Sequence, residues 1–343
     1  MRRFGFAFIA VVVSTAASAY AETTSLRVYP EQVVLHRPES SSQMLVWGES
    51  TDAGRFDATR QVRYQVSDPA VAEVLAGGRV LPRGDGQTIV QVELDGQTAS
   101  FEVVVRGQAA PPPVSFRQDV LPVLTKSGCN SGGCHGKAEG QNGFKLSVFA
   151  FDAKSDYEAI VQEARGRRIR TTLASRSLFL RKSTGESPHG GGQRIEPGSD
   201  WHRLLRRWIA EGASLDEAVA EPTLRLRVEP AEMLVGAQAE QQLRVTLVAA
   251  DGSETCVTSA ADYESNAEAI AAVDETGLVT STEIPGEAGI LVRYLGHVAV
   301  ARLTHARPAS QFERPSENNF VDRLVWDKLE KLATALYHDE TLP

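Results

Sequence analysis

The 343-residue sequence predicts a multidomain chain in which two all-β sandwiches flank a mainly α domain. Three observations predict this. Two stretches of about 80 residues repeat one pattern of short, alternating Val-, Leu-, Thr- and Tyr-rich runs between turn residues. Between them, after a Gln-Ala-Ala-Pro-Pro-Pro joint, apolar residues recur at helical rather than strand spacing. At the front stands a short apolar segment built like an export signal.

That segment reads MRRFGFAFIAVVVSTAASAYA. Arg2 and Arg3 supply a positive start, Phe4 to Val13 an apolar run, and Ala19-Tyr20-Ala21 a small-residue cleavage site. The spacing predicts a signal peptide over 1–21 and a mature chain from Glu22. No later segment approaches the roughly 20 apolar residues of a spanning helix. The expected location is therefore exported, periplasmic or at the cell surface, with no membrane span after signal removal. A formal net charge of −8 excludes a general nucleic-acid binder. Three cysteines are too few for a disulfide scaffold.

The repeats occupy 22–107 and 222–307. The first runs from L26-R-V-Y-P through Q43-M-L-V-W, D57-A-T and V62-R-Y-Q-V-S-D-P-A-V-A-E-V to T88-I-V-Q-V-E-L-D-G. The second runs from L224-R-L-R-V-E-P through Q242-L-R-V-T-L-V, D251-G-S-E and Y263-E-S-N-A-E-A-I-A-A-V to G289-I-L-V-R-Y-L-G. This order resembles the bacterial immunoglobulin-like (Big) domains of the second group. The resemblance implies Ig-like sandwiches serving as spacers or adhesive modules, with cell-surface or glycan contacts. Neither copy carries a constellation of acids, histidines or nucleophiles. Cys256, alone in the second copy, reads as a small core residue, or as an unpaired thiol open to an intermolecular bridge.

The linker 108–113 leads into the middle domain, 114–221. Phe116, Val120, Leu121 and Leu124 form one apolar face, Ser115 is the predicted N-cap, and Pro122 predicts a late start or a kink. At the far end Trp201, Leu204, Leu205, Trp208 and Ile209 line a second helix that Ser199 or Asp200 caps and Gly212 stops. Between the helices lies C129-N-S-G-G-C134-H135. This pattern fits three chemistries: a zinc site with Cys129, Cys134, His135 and His189, a small disulfide loop, or a widened version of the C-x-x-C-H haem-attachment signature. The region carries 16 Lys and Arg against 13 Asp and Glu, an excess of +3 where the rest of the chain holds −11. The run R165-G-R-R-I-R170 and the pair R181-K182 therefore read as contacts for an acidic group or partner, or as a solvated face.

Four further stretches, Q141-N-G-F-K-L-S-V-F-A-F-D, A164-R-G-R-R, P188-H-G-G-G-Q-R-I-E-P and L204-L-R-R-W-I-A-E-G-A, join the cysteine segment in resembling the planctomycete-type cytochrome c domain. In that family Big-type domains often flank it. The fold class expected is thus two all-β Ig-like sandwiches flanking a mainly α cytochrome c-like domain. The resemblance implies one covalent haem c, its iron bound by His135 on the proximal side and Cys129 and Cys134 forming the thioethers. None of the three methionines, Met1, Met44 and Met233, lies in this domain, so His189 is the candidate distal iron ligand, with His202 or an open position as alternatives. The function implied is electron transfer with an unknown redox partner protein. The alternative is a non-redox adhesion or glycan-binding surface protein with a structural disulfide or zinc at Cys129 and Cys134. No catalytic residues are expected. The segment 308–343, with N319-F-V-D-R-L-V325, resembles the start of a further helical domain in which any enzymatic activity would lie.

Overall fold

The computed structural model describes residues 23–51, 54–216, 224–305 and 314–331. The predicted signal peptide and the last residues of the chain lie outside them.

The first repeat folds as a β-sandwich. In one sheet Leu45–Ser50 lies between Thr23–Tyr29 and Gly54–Asp57, all antiparallel. In the facing sheet Gln97–Val105 pairs antiparallel with Gly86–Leu94 and parallel with Gln32–Leu35, and Arg63–Val66 closes the other edge. A small third sheet joins Ser42–Gln43, Arg79–Pro82 and Ala72–Val74. Alternation drives the layering: Val90, Val92, Phe101 and Val103 point inward and are at most 2% exposed, while Ile89, Gln91 and Glu93 face water. The long hairpin turns through Asp95-Gly96, both at positive φ (51° and 79°), as a two-residue turn requires.

The second repeat reproduces this plan strand for strand, with His297–His305 between Gly286–Tyr294 and Glu232–Val235. Its internal bonds correspond too. Thr59 accepts from Val46 N–H and Thr258 from Val245 N–H. Tyr64 donates to the Thr59 carbonyl and Tyr263 to the Thr258 carbonyl. Gln43 and Gln242 each spread an amide over two backbone carbonyls. By this correspondence Cys256 occupies the position of Asp57, and Arg244 that of Leu45.

The region between the repeats corrects the expectation of a mainly α cytochrome c-like domain. No substantial helical domain stands there. Its α-helices are α1 (Leu121–Lys126), α2 (Ala153–Tyr157), α3 (Leu178–Ser183) and α4 (Asp200–Ala210), and only α4 exceeds two turns. The physical reason lies in the Gly-, Ser- and Pro-rich runs 127–143 and 184–199, which fold as turns rather than helix. The unit nonetheless has its own core, separate from those of the sandwiches. Trp208, wholly buried, meets Phe116 at 5.4 Å between ring centroids and donates from its indole N–H to the Ser214 carbonyl (3.0 Å). Ser115 caps a wide first turn ahead of α1 and Ser199 caps α4.

All three units touch. Arg37 pairs with Asp119, and Arg207 with Glu39 (3.1 Å), tying the first sandwich to the central unit. Lys126 donates to the Ala261 carbonyl (2.5 Å) and Tyr294 to the Gln118 carbonyl (3.2 Å), tying the second. Between the sandwiches Asp57 accepts the Gln242 N–H (2.5 Å) and the Gln241 side-chain amide (3.0 Å). Reciprocally, the Cys256 sulfur accepts the Gln43 N–H at 3.3 Å. Cys256 is therefore a half-buried junction residue rather than part of the sandwich core.

Candidate ligand site in the central unit

The cysteine segment follows α1 as a chain of tight turns. Cys134 N–H bonds the Ser131 carbonyl, and His135 N–H the Cys129 carbonyl. Gly136 lets the loop close on itself: a Cβ there would lie 2.1 Å from the Asn130 carbonyl oxygen. Asn130, 3% exposed, anchors the loop from below through Thr125 (2.9 Å). The chain then leaves through Phe144 and Leu146, whose N–H bonds the His135 carbonyl at 2.8 Å.

These turns bring His135 to one wall of a cavity of about 380 Å³. His189, in the glycine loop after α3, lies on the same cavity. The two imidazole planes are 7° from parallel, with centroids 6.1 Å apart, too far for face-to-face contact. In each ring Nδ1 lies 2.9 Å from a backbone carbonyl, that of Phe144 for His135 and that of Gly192 for His189. A carbonyl only accepts, so both Nδ1 atoms carry the proton and both Nε2 lone pairs are left free. Burial holds the His135 imidazole below its usual range; the Phe144 carbonyl opposes this and the His189 ring adds to it.

The cysteines sit on the same cavity in different settings. Cys129 packs on the core beside Ser127 (3.2 Å), and burial pushes its thiol up against the opposing pull of Ser127 and Arg194. The Cys134 sulfur lies 3.7 Å from the Arg194 guanidinium. Both are free thiols, with no disulfide between them. Leu146, Phe179 and Phe144 supply apolar wall, and Arg167, Lys182 and Arg194 positive rim. His202 is elsewhere: on the first turn of α4 its Nδ1 accepts the Gly198 N–H (3.2 Å).

Arg168 was hidden among the arginines that read as a charged surface. It is 6% exposed and donates to the carbonyls of Ala159 (2.8 Å), Glu163 (3.3 Å) and Gly143 (3.1 Å) while covering the Phe144 ring at 4.5 Å. It thereby fixes the strand of chain that holds His135 Nδ1. No spacing signal in the sequence separates it from Arg165 or Arg170, which are exposed.

Among the described residues no group of three or more His, Cys, Asp or Glu side chains converges to hold a metal ion. Cys129, Cys134, His135 and His189, which the sequence offers as a zinc set, thus do not form such a group among the described residues. Nor is any described helix long and apolar enough to cross a membrane.

No protein-family model and no curated protein matches the chain. Solved structures do align with it. Domains 5–6 of the S-layer protein SbsC match at 11% identity over 84% of this chain and 100% of that one, with a TM-score of 0.33. SbsC domains 1–6 match at 10% identity over 85% of this chain, TM-score 0.22, and this chain spans 29% of their length. InvD of Yersinia pseudotuberculosis matches at 10% identity, 85% of this chain and 60% of that one, TM-score 0.16. The mostly β architecture, with only short helices between the sandwiches, overturns the planctomycete-type cytochrome c reading, with its Big-family flanks and its cytochrome and iron-protein descriptors. What stands is a chain of two β-sandwiches around a short-helix unit.

Proposed function

We propose that this is an exported protein in which two β-sandwiches frame a small-molecule site, and that the site takes a planar metal chelate between His135 and His189. One observation carries the reading: two parallel imidazoles face one cavity with both Nδ1–H groups committed to backbone carbonyls. Locking Nδ1 to a carbonyl is how proteins fix the tautomer and orientation of a histidine that ligates through Nε2. Two imidazoles are too few for a bare structural ion, which needs about four protein ligands. They suit a metal that brings its own equatorial donors. Among such chelates haem is the one whose edge the neighbouring Cys129 and Cys134 thiols are suited to attach. When bound, such a group would supply one-electron exchange. The residues of this chain orient it and wall it from water: Phe144 and Arg168 hold His135, the Gly192 carbonyl holds His189, and Arg167, Lys182 and Arg194 offer cations to acidic substituents.

The test is a titration of the purified full chain with hemin, followed by absorbance. The expected result is one low-spin, bis-imidazole spectrum per chain, converted to high spin by His189→Ala and abolished with His135→Ala. Metal-free protoporphyrin, which cannot be ligated, should bind at least about tenfold more weakly. No Soret shift with the folded wild type, or equal binding of the metal-free ring, refutes the reading.

A second reading, a non-redox surface protein that adheres through its sandwiches, is favoured by a different observation. The outward face of the second sandwich exposes Leu234 (62%), Val298 (57%) and Val300 (47%). The first sandwich has Thr98 and Ser100 at the positions of those valines. Binding to cell-wall polysaccharide that is lost in Val298→Thr/Val300→Ser, with no hemin binding by the wild type, would establish this reading in place of the first.

A further inference from the structure

The junction between the sandwiches is built twice, and its two halves differ in chemistry. In one half the Asp57 carboxylate takes the Gln242 N–H, with Arg60 as the neighbouring cation. In the other half the Cys256 sulfur takes the Gln43 N–H, and the cation is Arg244. The first repeat needs no cation at the place of Arg244; it has Leu45 there. Arg244 is 6% exposed and donates to the Ser42 hydroxyl (3.0 Å) and the Gln43 carbonyl, yet its Nε has no partner among the described residues. Glu254 lines the same cavity and feels the Arg244 charge, but its carboxylate is engaged by Arg227 (2.8 Å), and no ion pair to Arg244 forms among the described residues. A buried guanidinium without a paired anion is costly, and Cys256 lines the same cavity of about 430 Å³. A second cavity, of about 380 Å³, reaches the same sulfur from the side of Lys126 and Arg60.

We propose that Cys256 is a thiol-modification site at the sandwich junction, charge-matched by Arg244 and oxidised by small hydroperoxides. This does not rest on the ligand reading of the central unit. The sulfur attacks the terminal peroxide oxygen. An S–O bond forms as the O–O bond breaks, sulfur gives up two electrons to the peroxide, and the departing oxide takes a proton from water. The product is a sulfenic acid whose oxygen replaces the sulfur as acceptor for Gln43 N–H, in the manner of Asp57. The electrostatics agree: burial alone would raise the thiol, but Arg244 and the hydrogen bonds from Gln43 and Thr258 outweigh it and Cys256 ionises below the ordinary thiol value.

The experiment treats the full chain with hydrogen peroxide, traps sulfenic acid with dimedone, and quantifies all three cysteine peptides by mass spectrometry across pH. Adduct on Cys256 with a rate midpoint clearly below the usual value of about 8.5 supports the proposal. Arg244→Leu, which copies the first repeat, should slow trapping at neutral pH about tenfold, and Arg244→Lys should largely restore it. No adduct on Cys256 in the folded chain overturns the proposal, as does a midpoint at or above the ordinary value, or an Arg244→Leu protein that reacts as fast as wild type. Should Arg244→Leu not fold, the wild-type pH profile and Arg244→Lys decide the matter.

Discussion

Replacing Trp208 by Ala probes whether the central unit stands on its own core. The indole is wholly buried and sits against Phe116, which in turn meets Tyr157 edge-on at 5.4 Å. Truncating a buried Trp costs about 3–5 kcal/mol, and the Ser214 carbonyl, deprived of the indole N–H, adds about 1 kcal/mol. The expected loss is at least about 4 kcal/mol, or about 10³-fold in an opening equilibrium. Amide hydrogen exchange read by mass spectrometry on the full chain resolves where that loss falls. Peptides over α1 and α4 should exchange about 10³-fold faster, while the long hairpins Gly86–Val105 and Gly286–His305 keep their protection, because their cores share no buried residue with Trp208. Trp208→Phe keeps most of the packing and loses the hydrogen bond, so about tenfold is expected. Acceleration below tenfold for Trp208→Ala, or equal loss in the hairpins, refutes the picture of a separately cored unit.

Other expectations follow from single contacts. Ser115→Ala removes the cap on Gln118 N–H and should cost about 1 kcal/mol by denaturant melt of the central unit. Arg168→Lys cannot reach three carbonyls at once; it should cost about 2 kcal/mol or more and weaken hemin binding, and an unchanged melt would refute its anchoring role. Leu295 is held at φ 46° in the turn where the first repeat has Asp95, and it packs on the cores of both the second sandwich and the central unit. Leu295→Asn relieves about 1 kcal/mol of strain but gives up about 2 kcal/mol of burial, so a net loss near 1 kcal/mol is expected. Asp156, 1% exposed, has its carboxyl raised by burial, opposed by the two Ser147 bonds. A folded value above the unfolded 3.8 means its contribution is present at lower pH and lost as pH rises through the folded value. The penalty of Asp156→Ala should therefore be larger at about pH 4 than at about pH 7, and the opposite trend refutes the assignment.

The sequence carried the sandwiches because their signals are local and doubled. Alternation over Thr88–Leu94 and Gln97–Val103, and a turn at Asp95-Gly96, each specify strand and register within a few residues. Helix ends were legible for the same reason: Ser115 and Ser199 cap where a short polar side chain precedes an apolar stripe. The overreach to a mainly α domain came from the resemblance of the cysteine segment and its flanking helices to a cytochrome c domain, while the glycine-rich runs between them fold as turns. Candidate residues were nameable from composition, since His135 and His189 are among seven histidines. Their geometry was not, because it is fixed by the Phe144 and Gly192 carbonyls, which any residue type supplies. Arg168 and Cys256 were misread for a related cause: burial of a charged or polar group depends on partners distant along the chain, and periodicity does not register them.

The reciprocal junction also governs how the molecule bears tension. The central unit follows the first repeat along the chain, yet the two repeats grip each other directly through Asp57 with Gln242 and Gln43 with Cys256. Force entering at the first sandwich and leaving at the last passes across that grip, in parallel with the chain path through the central unit. The site loop is thus mechanically shunted: it is loaded only after the grip has parted. In a pulling experiment between the outer strands the first rupture releases the sandwiches from one another, and the extension of the central unit follows it. That order keeps His135 and His189 in place until the surrounding frame has failed.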